Sequence, residues 1–205
     1  MLNEPSLAIL IDCWDIPPEI EPKLYNDIID CVTNDPAVGT IVLASYNCKR
    51  ELTHSSSVWY LNHHALYGPN NPLRKIKELN HVHRLHMARD TTYPLEQTHP
   101  TVLHYNNPSK FQIAMHWAWQ LEYYLSLNPE IKNVYVFGVA WDICVRNRTL
   151  GYLALTEIQG ISILTKARCV LASDFQHPNL DLDPDWVKVA EDTYQYVLGN
   201  TKVDV

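Results

Sequence analysis

Glycine is scarce here, with six in 205 residues. No Gly-rich phosphate loop is present, which sets aside the nucleotide-cradling motifs. No apolar stretch reaches the ~18 residues that a membrane span needs. Positive charge is also short. Lys and Arg number 16 against 23 Asp and Glu, a net charge of −7, and a generic nucleic-acid binder would need a basic surface instead. The five cysteines, Cys13, Cys31, Cys48, Cys144 and Cys169, are odd in number and show no CxxC spacing. A disulfide framework or a zinc site is not expected, and a reducing, cytoplasmic compartment is. The opening MLNEPSLAILIDCWD lacks the basic start and cleavage site of a secretory signal. There is no internal repeat and no low-complexity run.

What is present suits a globular chain. Hydrophobic residues make up 46% and charged residues 19%, which argues against disorder. The length fits one domain over 1–205, with a divergent insertion or lid at about 45–99. Short apolar runs at Leu7–Ile11, Thr40–Ala44 and Val134–Phe137 read as strands buried on both faces. Thr101–Tyr105 reads as a further strand. Pro22 opens an expected helix to about Thr33, with Leu24, Ile28, Ile29 and Val32 on one stripe. Helices are also expected over Leu73–Met87, Phe111–Leu127, Ile143–Thr156 and Asp185–Leu198. The last takes Asp183 as N-cap, Pro184 as first residue and Gly199 as stop. Ile161–Leu164 and Cys169–Ala172 read as two strands, or as one with a kink. Such alternation predicts a mainly parallel sheet between helices. Ligands in such folds bind at the C-terminal ends of the strands, where Asp12, Tyr105 and the segment after Gly138 are expected to meet.

Two residue types at those ends carry chemistry. Asp12 closes a buried strand, where partial desolvation favours a carboxylate that accepts a thiol proton; capping of the following loop is the plainer role. Cys144 follows Gly138-Val139-Ala140-Trp141-Asp142-Ile143, near the first turn of a helix. Free N–H groups there stabilise a thiolate and can hold an oxyanion; a small buried hydrophobe is the plainer role.

GVAWDICVRNRTLGY resembles the nucleophile motif of the isochorismatase-like cysteine hydrolases. LAILIDCWD resembles the first strand of that family, which ends in its catalytic Asp. YNNPSKF resembles the segment after its third strand. The resemblance implies a three-layer α/β/α sandwich and assembly as a dimer or tetramer. It implies an Asp–Lys–Cys triad, with Asp12 as general base and Cys144 as nucleophile. It also implies a cis peptide at Val139–Ala140, with an oxyanion hole built from the N–H groups of Ala140 and Cys144. The alignment puts Tyr105 at the lysine position, where it can donate a hydrogen bond but brings no positive charge at neutral pH.

Two functions follow from that substitution. One is a hydrolase of a small amide, or a related C–N or C–O bond, with an altered triad. The other is a catalytically inactive relative that binds a small molecule or a protein. No metal and no cofactor are expected, because the metal-binding Asp-x-His of the nicotinamidase branch has no counterpart in Ala44-Ser45-Tyr46-Asn47-Cys48. His81, His83 and His86, and likewise His63 with His64, are close enough in sequence for a local cluster; a solvated helical face is the plainer role. Trp14 and Trp141 are candidate pocket walls. Trp59, Tyr60, His63, His64 and Tyr67 suit a lid over a planar ligand, or else a core or subunit interface.

Overall fold

The computed structural model describes residues 4–13, 22–44, 58–67, 105, 107–172 and 179–198. The described residues form a mixed α/β fold around an eight-stranded sheet. Three strands at its centre are apolar on both sides. β1 (Ser6–Ile11) is buried along its whole length. It lies parallel to β2 (Val38–Ala44) and to β4 (Asn133–Val139), with Ile11 opposite both Ala44 and Gly138. Burying each such Ile, Leu or Val contributes about 1.5–3 kcal/mol. The run SLAILI therefore has no stable alternative to a central strand.

Alternation along β1 divides the core into two layers. Leu7, Ile9 and Ile11 face one layer, together with Val134, Val136, Trp119, Leu121 and Leu125. Ala8 and Leu10 face the other, with Leu24, Ile28, Val32 and Phe137. The second layer is covered by α1 (Pro22–Ile29), which passes into a wider π-helical turn over Asp30–Asn34. Of the expected stripe, Leu24 and Ile28 are buried in α1 and Val32 in the following turn, Ile29 is only partly covered, and Tyr25 is buried as well.

With β3 at Phe111–Met115, β5 at Ser162–Lys166, β6 at Val170–Leu171, β7 at Trp186–Lys188 and β8 at Thr193–Tyr196, the sheet order is β3-β2-β1-β4-β5-β8-β7, with β6 also paired to β4. β5 (Ser162–Lys166) and β6 (Val170–Leu171) are separate strands joined by a 3-10 turn, Ala167–Cys169. β1 to β6 run parallel; β8 (Thr193–Tyr196) runs antiparallel to β5 and to β7 (Trp186–Lys188).

Three expected helices take other forms. The segment read as one helix from Phe111 to Leu127 is strand β3 (Phe111–Met115) followed by α3 (Ala118–Leu127). Gln120 makes the break, since its Oε1 accepts from the backbone N–H of both His116 (2.6 Å) and Trp117 (2.9 Å). The segment read as a helix from Asp185 to Leu198 is the β7–β8 hairpin. Trp186, Tyr194 and Tyr196 all turn into the core, a period of two along β8 that suits a pleated face. Asp183 does cap, but it caps a turn: its Oδ1 accepts from Asp185 N–H at 3.1 Å. The segment read as a helix from Ile143 to Thr156 is broken. A π-helical turn spans Trp141–Val145, and a short helix, α4 (Tyr152–Leu155), follows Gly151. A Cβ on Gly151 would lie 2.6 Å from Val145 O and 2.8 Å from Arg146 O. Only glycine lets the chain double back so closely.

The helix α2 (Val58–Tyr67) lies along the open edge of β3. Asn62 Nδ2 donates to Gln112 O at 2.6 Å, and His63 Nδ1 bonds Ala114 O at 2.7 Å. These contacts occupy carbonyls of an edge strand that would otherwise be open to pairing. Trp59 and Tyr67 are buried, Trp59 in one core layer and Tyr67 in the other. Within the expected lid, residues 58–67 are therefore a packed helix, with Trp59 and Tyr67 in the core. The rest of 45–99, including the helix expected over Leu73–Met87 and the histidines His81, His83 and His86, lies outside the described residues. No helix among the described residues is long and apolar enough to cross a membrane.

Candidate functional site

Asp12 follows the last residue of β1 and Ala140 the last of β4, so adjacent parallel strands deliver both to one end of the sheet. Three backbone features mark this end. Asp12 has φ 51, the left-handed region, which Asp tolerates better than most residues. Gly138 has φ 138, and a Cβ there would lie 1.9 Å from Ile11 O. Any larger residue would push apart β1 and β4 immediately below Asp12. The Val139–Ala140 peptide is cis, as the resemblance implies.

Cys144 lies in the π-helical turn after β4 and is half-buried. The Asp12 carboxylate and the Ala140 backbone are both near enough to this thiol to shift its ionisation. Burial is the main cause that pushes the Cys144 thiol up to about 11, followed by the charge and hydrogen bond of Asp12; Arg148 and Ala140 act in the opposite direction. The thiol is therefore protonated at neutral pH.

Arg148 completes the cluster. Its Nε donates to Asp12 Oδ2 at 3.1 Å and its Nη2 to the same oxygen at 2.7 Å. Both side chains are nearly enclosed, at 10% and 6% exposure. Arg148 stands four residues after Cys144, the spacing that puts two side chains on one face of a helical turn. Thr149, the next residue, hydrogen-bonds through Oγ1 to His116 O. That bond ties the segment carrying Arg148 to the end of β3. Reading by sequence pattern passed over Arg148. The usable signals were its place four residues past Cys144 and the need of a buried Asp12 for a cation.

Among the described residues Tyr105 makes no contact with Asp12, Cys144 or Arg148, although its hydroxyl reaches the backbone next to Asp12. It is buried in the layer that holds Leu10 and Phe137, its hydroxyl donates to Cys13 O at 3.4 Å, and its ring packs against Tyr25. Burial first, then the nearby Cys13, Tyr25 and Cys169, hold its hydroxyl well above the ordinary tyrosine range. The third parallel strand begins at Phe111, after Tyr105. Tyr105 therefore does not stand at that strand's C-terminal end, and residues 101–104 lie outside the described residues. Lys110 is directed away from the cluster. Its Nζ donates to Asp35 O (2.6 Å) and Val38 O (2.7 Å) at the start of β2. Trp141 is buried in an aromatic cluster, with ring centroids 5.3 Å from Tyr152 and 5.0 Å from Trp186. Trp141 is thus part of the core. Trp14 lies outside the described residues. Among the described residues, no group of three or more His, Cys, Asp or Glu could hold a metal ion.

In comparisons with known proteins, no family model, no curated protein and no solved structure matches the chain.

Proposed function

We propose that the chain is a cysteine hydrolase of the isochorismatase-like type, acting on a small amide or a related C–N or C–O bond. The observation that carries this reading is the convergence of Asp12 and the Cys144 turn at one end of the sheet, with Arg148 paired to the Asp12 carboxylate. Asp12 accepts the thiol proton as Cys144 Sγ attacks the carbonyl carbon. The backbone N–H groups of Ala140 and Cys144 receive the negative charge that develops on oxygen. Asp12 returns its proton to the leaving nitrogen, and water then hydrolyses the thioester with Asp12 again as base. Arg148, a permanent cation, supplies the positive charge that Tyr105 cannot. The same reading takes a small-molecule substrate, no resident metal or cofactor, a cytoplasmic setting and self-association as a dimer or tetramer.

The test is release of ammonia or amine from a panel of small amides, alongside trapping of a thioester on Cys144 by mass spectrometry. Turnover that is lost in both Cys144→Ser and Asp12→Asn supports the hydrolase. Turnover that survives Cys144→Ser rejects it.

A second reading, an inactive relative that binds a small molecule or a protein at this end of the sheet, is favoured by the protonated state of Cys144 and by the commitment of two Arg148 nitrogens to Asp12. Under it, a small amide from the panel raises the thermal midpoint of wild type and Cys144→Ala equally, and no product forms.

A further inference from the structure

Away from Asp12, a second pair of cysteines lies in contact. Cys169 Sγ donates to Cys31 Sγ at 3.3 Å, and the two residues are 138 positions apart in the chain. Both are buried, at 3% exposure for Cys31 and 0% for Cys169. Cys31 belongs to the π-helical turn after α1, and Cys169 ends the 3-10 turn that leads into β6. A disulfide needs an S–S distance of about 2.05 Å, so the sulfurs must close by only a little more than 1 Å.

The surroundings differentiate the two thiols. The hydrogen bond from Cys169 is the largest of the causes that lower the Cys31 thiol. Burial opposes it, and the nearby Lys166 and Arg168 support it. Cys169 is raised, first by that same hydrogen bond. Arg168 is held beside the pair by Asp192 at 3.1 Å and Asp27 at 3.7 Å. Cys31 is thus the sulfur that the hydrogen bond and the two cations favour as thiolate.

We infer that Cys31 and Cys169 are a redox dithiol that a peroxide converts to a disulfide. The Cys31 thiolate attacks one peroxide oxygen, the O–O bond breaks, and the departing hydroxide takes up the proton that Cys31 has shed. Cys31 is left as a sulfenic acid. The Cys169 sulfur then attacks the Cys31 sulfur, the S–O bond breaks, and water leaves with the Cys169 proton. Two thiols are oxidised, one peroxide is reduced, and two waters form. The bond ties the turn after α1 to β6, which pairs with β4 at Gly138↔Val170 and Val139↔Leu171. Those β4 residues lead directly into Ala140 and the Cys144 turn. The inference does not depend on the hydrolase reading, and the reduced form is the ground state in a reducing compartment.

The experiment uses the full chain, reduced and then treated with hydrogen peroxide. Remaining thiols are blocked with N-ethylmaleimide under denaturing conditions, and the peptides are mapped without reductant. The expected product is one linked peptide pair, Cys31 to Cys169, two hydrogens lighter than its thiol components. The thermal midpoint rises by roughly 5 °C or more, because the closed loop is long, and dithiothreitol reverses the rise. In Cys169→Ala, Cys31 stops at the sulfenic acid and is captured by dimedone. Maleimide on both cysteines after peroxide, linkage of either to another cysteine, or sulfinic acid on Cys31 of the wild type overturns the inference.

Discussion

Arg148 reaches a single oxygen of Asp12 with two nitrogens, Nε at 3.1 Å and Nη2 at 2.7 Å. The pair joins the end of β1 to the segment after the Cys144 turn, across 136 residues of sequence. Removing one member of a buried pair leaves the other charge without compensation, at a cost of about 3–5 kcal/mol. Arg148→Met is expected to lose stability on that scale in urea denaturation. Arg148→Lys keeps the charge but not the two-nitrogen grip and should lose less. The double variant Asp12→Asn, Arg148→Met should lose less than the sum of the two single changes. Additive losses would show that the contact carries no coupling.

The ionisation of Cys144 gives a second measurement. With the thiol pushed up to about 11, chiefly by burial and then by Asp12, only a small fraction is thiolate near neutrality. Iodoacetamide alkylation of Cys144 should be slow at pH 7 and climb towards pH 11. Asp12 acts in the raising direction through charge and hydrogen bond alike. Asp12→Asn should therefore lower the thiol and speed alkylation at pH 8–9, by about tenfold for each unit lost. The hydrolase reading predicts the opposite for turnover, since the same change removes the base. An Asp12→Asn enzyme that alkylates faster and turns over normally would sink Asp12 as the proton acceptor.

Gly138 tests whether the strands must approach this closely at the site. A Cβ there would meet Ile11 O at 1.9 Å, and φ 138 is a conformation that L residues avoid. Gly138→Ala should cost about 2–4 kcal/mol and displace Asp12 relative to Cys144. Gly39→Ala is the control, because a Cβ there meets nothing within 4 Å. Equal denaturation midpoints for the two variants would refute the requirement.

Much of this fold was legible because β1, β2 and β4 are apolar on both faces, a pattern that few other structures accept. The misread segments share a cause. Phe111, Met115, Ala118 and Trp119 fit a helical stripe, yet Gln120 captures the backbone N–H groups of His116 and Trp117 and ends the strand before the helix begins. Asp183-Pro184 carries a helix-start signal, yet the following Trp186 and Tyr196 gain more by packing with Trp141 and Tyr152 than a helix would allow. Tertiary packing overrode the local preference in both places. At the site, Asp12 was legible as a strand-end residue and Cys144 as a residue of the turn that follows a strand. Arg148 was not, because its role depends on a partner 136 residues away.

Lys110 closes the question of which cation serves Asp12. It is the lysine nearest in sequence to the expected triad position, and it stands just before β3. Its Nζ is spent on two backbone carbonyls, Asp35 O and Val38 O. Val38 is the first residue of β2, so Lys110 sits at the end of the sheet opposite Asp12. Its work there is to satisfy carbonyls where the π-helical turn hands over to the strand. Lys110→Met removes both donors and should cost about 1–3 kcal/mol in stability. It should leave the alkylation profile of Cys144 unchanged and leave any amide turnover within about twofold of wild type, when both are compared with Arg148→Met at a temperature where all three proteins are folded. If Lys110→Met abolished turnover while folded, and Arg148→Met did not, the cation of the site would be Lys110 and the assignment of Arg148 would be wrong.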